Sequence, residues 1–206
     1  MTHALILVDI QNDFLPGGAL AVPEGDEVVS VANTMMDRFS IVVATQDWHP
    51  ADHGSFASQH HGRSVGELID LNGLDQVMWP DHCVQGTHGA EFADGLSPID
   101  AGNVFVKGTD RKIDSYSGFF DNGHLKSTGL GDALKADGVT DVFILGLATD
   151  YCVKFTALDA VELGFKTTLI QDGCRGVNLQ PDDVETSIEQ MKAAGVRITV
   201  SERIAG

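Results

Sequence analysis

The chain is predicted to form a single-domain three-layer α/β/α fold on an open, mostly parallel six-stranded sheet, with a long loop-rich insertion. Three observations predict this. Short runs rich in Val, Ile and Leu recur at 4–8, 41–44, 104–106, 142–145, 168–170 and 196–200, and uninterrupted apolar runs suit strands buried on both faces. Helical patterns lie between many of them, and alternating strands and helices imply a parallel sheet covered by helices. The length, 206 residues, suits one substantial core.

Taken in order, the first strand (4–8) runs directly into Asp9. A helical pattern follows over 26–38, then the second strand, which leads into Thr45-Gln46-Asp47-Trp48-His49. Segment 47–100 is rich in His, Gly, Asp and Pro with little periodicity, and a loop that long in a compact domain is usually functional or disordered. Its Trp48, Phe56, Trp79 and Phe92 speak against disorder. The third strand closes on Lys107, and a helix is predicted over 126–136 with Gly138 as its stop. The fourth strand, Val142-Phe143-Ile144-Leu145, ends at Gly146. Helix 151–163 then sets Phe155, Leu158 and Val161 on one face and Lys154, Asp159 and Glu162 on the other, with Gly164 as its stop. A strand at 168–170 precedes helix 182–194, where Val184, Ile188 and Met191 share a face. Gly195 stops that helix before the last strand.

The formal charge of −17 excludes a nucleic-acid partner as the ordinary expectation, because such affinity comes largely from Lys and Arg neutralising phosphates. It disfavours anionic membrane surfaces for the same reason. Three cysteines, Cys83, Cys152 and Cys174, are no disulfide framework. The N-terminal residues lack a basic region followed by a long apolar one, so a reducing cytoplasm is the expected compartment.

In open α/β sheets ligands bind beyond the carboxyl ends of the strands. There the sequence sets Asp9, the Asp47–His49 turn, Lys107 and, after Gly146-Leu147-Ala148-Thr149-Asp150-Tyr151, Cys152. A thiol in the first turn of a helix sits at its positive end, which favours the nucleophilic thiolate; a buried cysteine acting as apolar filler is the alternative. Asp9 alone could cap a turn, and Lys107 alone could extend to solvent. Together they form a coherent set: the cation lowers the thiol pKa, and the carboxylate accepts and later delivers a proton. Asp47, His49 and His82 are one carboxylate and two imidazoles, a frequent ligand set for Zn²⁺ or Fe²⁺. His53 is the best spare ligand, while His60 and His61 read as solvent-facing neighbours of Arg63. Cys83, beside His82, reads as packed.

The segments Val8-Asp9-Ile10-Gln11-Asn12-Asp13-Phe14, Asp47-Trp48-His49-Pro50, Trp79-Pro80-Asp81-His82-Cys83, Lys107-Gly108 and Gly146–Val153 resemble, in order and over essentially the whole chain, the isochorismatase-like cysteine hydrolases. Within that superfamily the chain is most similar to the nicotinamidase or pyrazinamidase group. The resemblance implies an Asp9–Lys107–Cys152 triad and one divalent transition metal on Asp47, His49 and His82, with zinc ahead of iron or manganese. It implies a cis peptide before Ala148, an oxyanion hole from the N–H groups of Ala148 and Cys152, and aromatic walls from Phe14, Trp79 and Tyr116. The implied activity is hydrolysis of nicotinamide to nicotinate and ammonia, and of pyrazinamide to pyrazinoate, through a cysteine thioester. The partner is then a small heteroaromatic amide, and a homo-oligomer stays open. Other superfamily members cleave a vinyl ether or N-carbamoyl amides. A non-haem iron oxygenase would use the same metal set but leaves Cys152 and Lys107 without a role. A redox sensor would want a resolving C-x-x-C pair, which the chain lacks.

Overall fold

A computed structural model describes residues 2–204. Six strands form one all-parallel sheet: β1 (Thr2–Val8), β2 (Val42–Asp47), β5 (Val104–Lys107), β6 (Val139–Leu147), β7 (Lys166–Arg175) and β8 (Arg197–Thr199). Their order is β5-β2-β1-β6-β7-β8. The chain therefore builds outward from β1 in one direction, then returns to lay β6 on its other side. The reversal puts a crevice between the carboxyl ends of β1 and β6, the position where such sheets bind ligands.

Each strand forms where apolar side chains are covered on both faces. Ala4–Val8 is completely buried, as is most of β6. Helix α1 (Glu27–Met36) buries Val28, Ala32 and Met35, an i, i+4, i+7 stripe. Helices α2 (Leu130–Ala136), α3 (Lys154–Glu162) and α4 (Asp183–Ala193) complete the layers. Helix α2 starts later than the periodicity suggests. Gly129 takes a left-handed φ of 91°, and the hydroxyls of Ser127 and Thr128 accept the N–H groups of Gly129 and Leu130. Capping chemistry thus outranks the apolar spacing over 126–129.

The insertion is ordered around buried residues of its own, among them Phe56, Met78, Trp79 and Cys83. It carries an antiparallel hairpin that apolar periodicity does not reveal, β3 (Leu68–Leu71) and β4 (Leu74–Val77). Its turn, Asn72-Gly73, has φ of 53° and 89°, the doubly positive pair that a tight hairpin turn demands. No helix among the described residues is long and apolar enough to cross a membrane.

Candidate active site

The carboxyl ends of four adjacent strands, β5, β2, β1 and β6, supply Lys107, Asp47, Asp9 and the turn leading to Cys152. Glycine permits the close approach at the crevice. A Cβ on Gly146 would collide with the backbone of Val8, so β6 lies against β1 only with hydrogen there. The next peptide, Leu147–Ala148, is cis. The chain then winds through one π-turn, Thr149–Val153, before α3 begins. In that turn the Val153 N–H reaches back to the Ala148 carbonyl at 3.0 Å. Cys152 therefore sits in a widened turn ahead of α3 rather than in its first α-helical turn.

Lys107 organises the buried charges. Its Nζ lies 2.9 Å from Asp9 Oδ2 and donates to Asp47 Oδ1 at 2.6 Å, the Ser115 carbonyl at 2.7 Å and Cys152 Sγ at 3.4 Å. Burial alone would depress the ammonium, but Asp47 and then Asp9 reverse that and hold its pKa well above the ordinary lysine value. Asp9, with φ of 48°, accepts the Thr45 hydroxyl on Oδ1 at 2.6 Å. Its Oδ2 is buried and faces the Lys107 ammonium. Burial raises the Asp9 pKa, against the pull of Lys107. Burial also pushes the Cys152 thiol well above its ordinary value, with Lys107 opposing. Desolvation thus outweighs the cation and works against the thiolate that the turn alone would favour. One donor atom from each of Asp9, Asp47 and Cys152 lies within 4.8 Å of the others.

Asp47, His49 and His82 form the second cluster, all buried, with donor atoms within 4.8 Å of one another. His49 Nδ1 is 2.9 Å from the Gly108 carbonyl and His82 Nδ1 is 2.8 Å from the Pro80 carbonyl. A carbonyl only accepts, so each Nδ1 carries hydrogen and each Nε2 presents its lone pair. These Nε2 atoms are 3.5 Å and 3.9 Å from Asp47 Oδ2. Two oriented imidazoles facing one carboxylate oxygen fit a divalent transition metal. Burial would raise Asp47, but Lys107, His49 and His82 outweigh it and keep it ionised below the usual carboxylate range. Burial and the neighbouring His49 push His82 down to about 4. For His49 burial is overcome by Asp47, and its pKa rises.

His53 differs from the two imidazoles beside it. Its Nδ1 lies 2.7 Å from the Ser55 hydroxyl, a group that both donates and accepts, and 3.2 Å from the Ser55 N–H, where the other two imidazoles meet a carbonyl. Its buried Nε2 has no partner among the described residues. One ligand atom from each of His49, His53 and Asp114 also lies within 4.8 Å of the others. His60 is not solvent-facing as its sequence neighbourhood suggests: it is half-buried, with Nε2 2.7 Å from the Gly54 carbonyl. His61 is exposed, and Cys83 is buried.

Phe14, Trp79 and Tyr116 line a cavity of about 30 Å³ with Ala148 and Cys152. Residues that sequence reasoning missed complete the site. Tyr151 meets Trp79 edge-on at 4.8 Å. Gln76, brought in by β4, and Trp79 both donate to the Tyr116 hydroxyl, at 3.0 and 3.2 Å. Gln11 is completely buried. Its side chain donates to the Asp47 carbonyl and accepts the Asp47 N–H, both at 2.8 Å. Asp150 accepts the N–H groups of Val177 and Asn178, tying that loop to the cysteine turn. Gln11 was legible as a polar residue three positions past a buried strand; Gln76 carried no comparable signal.

The isochorismatase domain family model matches residues 3–203. A nicotinamidase of Escherichia coli (strain K12) is 53% identical over 200 residues, covering 95% of this chain and 93% of that protein. A solved structure of the Acinetobacter baumanii nicotinamidase pyrazinamidease superposes with a TM-score of 0.94 at 45% identity, covering 98% of this chain and 97% of the other. The pyrazinamidase of Pyrococcus horikoshii in complex with zinc superposes with a TM-score of 0.80 at 38% identity, covering 97% and 99%.

Proposed function

The chain belongs to the isochorismatase domain family, and on that footing we propose that it is an amidohydrolase converting nicotinamide to nicotinate and ammonia, and pyrazinamide to pyrazinoate. The observation that carries this reading is the Lys107 ammonium, in reach of Asp9, Asp47 and Cys152 at once. That arrangement supports a thiol nucleophile with its base alongside, which a metal-dependent oxygenase would not need.

Asp9 takes the Cys152 proton and becomes neutral, while Lys107 stabilises the resulting thiolate. The sulfur attacks the amide carbon, and the backbone N–H groups of Ala148 and Cys152 receive the oxyanion; one such donor is typically worth about 3 kcal/mol. The carbon–nitrogen bond breaks as Asp9 returns the proton to the departing ammonia, leaving a thioester on Cys152. Water then attacks the thioester, giving its proton to Asp9. Collapse breaks the carbon–sulfur bond, frees the pyridine carboxylate and restores the thiol with the proton from Asp9. Phe14, Trp79 and Tyr116 would hold the ring flat. Asp47, His49 and His82 would hold one divalent ion, zinc ahead of iron or manganese. Bound there, it supplies orientation of the heteroaromatic ring and withdrawal of electron density from it. The acidic surface supports a cytoplasmic enzyme of one domain with no nucleic-acid or membrane partner.

The test is ammonia release from nicotinamide by the wild-type and Cys152→Ala proteins, each with and without a chelator. Turnover should vanish in the variant while its circular dichroism stays native. Chelation should suppress the wild-type rate, and added zinc should restore it. Ammonia release retained by Cys152→Ala would sink the nucleophile assignment.

A further inference from the structure

We propose that a cleft at the opposite, amino-terminal end of the sheet binds a nucleotide through its phosphates and base. The cleft has a volume of about 690 Å³, within the range of small-molecule sites. It is lined by the start of β1, the α1–β2 connection, Phe143 of β6, both ends of the short β8 and the segment that follows it. Asp9 lies at the other end of β1, about 20 Å away at strand rise.

Charge carries the argument. The chain has 30 acidic residues against 13 Lys and Arg, yet Arg38, Arg197 and Arg203 all line this cleft, and no Asp or Glu among the described residues does. The other three arginines, Arg63, Arg111 and Arg175, each pair with a carboxylate. Arg38, Arg197 and Arg203 have none within reach among the described residues. Every arginine without a described counter-ion therefore faces the same space.

Two of these guanidinium groups are already oriented. Arg38 donates through Nη1 to the carbonyls of Ser201 and Ile204, at 3.0 and 2.7 Å. Its Nε and Nη2 edge is left for a ligand. Arg197 donates through Nε to the Thr168 hydroxyl at 3.2 Å, and its guanidinium carbon lies 5.9 Å from the Phe143 ring centre. Both Nη groups are left over. Planar forks with a fixed edge match phosphate oxygens in pairs, and three of them suit a di- or triphosphate better than a single carboxylate. The floor is aromatic: Phe143 has Phe39 at 5.0 Å and His3 at 5.7 Å between ring centres. Phe143 is itself buried, so a heteroaromatic base would stack on the half-buried Phe39 and the exposed His3 beside it.

The test is fluorescence anisotropy of N-methylanthraniloyl-ADP titrated with the full chain, repeated in the Cys152→Ala background with excess nicotinamide to fill the catalytic pocket. The expected result is saturable binding in both. The Arg197→Gln/Arg203→Gln double variant should weaken it by about tenfold or more, and Arg63→Gln should leave it unchanged. Arg203 bonds to no described side chain, so its single replacement keeps the test independent of folding. Absence of saturable binding, equal binding by the double variant, or displacement by nicotinamide would overturn the site. Unlabelled pyrophosphate competing as well as ADP would overturn the part assigned to the aromatic floor.

Discussion

Replacing Gln11 by Leu tests how the candidate metal-ligand strand is held. β1 pairs with β2 only as far as Val8↔Thr45, so no strand continues the ladder beside Asp47 on that side. The Gln11 amide takes its place, bonding both the Asp47 N–H and its carbonyl, and also the Ala90 carbonyl at 2.8 Å. Leucine fills similar space but offers no polar atom. The Ala90 carbonyl keeps Gln46 as a donor, whereas the N–H and carbonyl of buried Asp47 lose the partner that Gln11 supplied. Each orphaned buried group costs about 1–3 kcal/mol, giving a loss of about 4 kcal/mol. For a chain of this size about 2–4 °C accompanies each kcal/mol, so Tm should fall by about 8–16 °C. Freed from its clamp, Asp47 should also hold metal about 10–100-fold less tightly. Calorimetry of the metal-free protein reads the first effect, and competition against a chelator of known affinity reads the second. A Tm drop below about 4 °C with unchanged metal affinity would refute the clamp.

Asp9→Asn removes the proton acceptor but keeps a partner for the Thr45 hydroxyl; kcat should fall by at least about a hundredfold with native circular dichroism, and a smaller loss in steady-state kinetics would count against Asp9 as the base. Gly108→Ala puts a methyl group where the His49 ring lies, at a position with φ of 65°; mass spectrometry of the purified protein should find metal well below one equivalent, and a full complement would contradict the ligand assignment. The metal-free protein should lose stability as pH falls from about 6.5 through about 4. His82 has a folded pKa of about 4, below its unfolded value of about 6.5, so in that window the unfolded chain binds the additional proton. The raised pKa of His49 acts only above that window, and Asp9 acts in the opposite sense near its lower edge. The difference between wild type and His82→Asn therefore isolates the His82 contribution, and identical slopes of Tm against pH would refute it.

The sheet was legible because buried parallel strands leave continuous apolar runs, and the residue following each run marks the functional rim. Asp9, Lys107 and the segment leading to Cys152 were readable by that rule alone. The hairpin was readable too, since Asn72-Gly73 is a strong turn signal, but Leu68–Leu71 and Leu74–Val77 are too short and polar for a periodicity search. Cys152 shows a different limit. A helix start suggests a thiolate, yet burial pushes the thiol well above its ordinary value. Burial is a tertiary property, and no local pattern encodes it. Gln76 reaches Tyr116 across 40 positions of sequence, a separation that hides it from any local reading. His60 turns inward because Gly54 offers it a carbonyl, again a contact made by the folded insertion.

Lys107 is a counter-ion shared between two carboxylates that the chemistry uses differently. The proposed nucleophilic and metal-holding halves of the site are therefore not independent modules. Substituting Asp47 would strip a ligand and at the same time release Lys107 towards Asp9 and Cys152, so its phenotype would mix two effects. His82 is the separable handle: its own ring bonds to a backbone carbonyl, outside the lysine's contacts. A sequence drifting away from metal use could lose His82 first at little cost to the triad. It would have to keep an acid at 47, or rebuild the charge balance around Lys107.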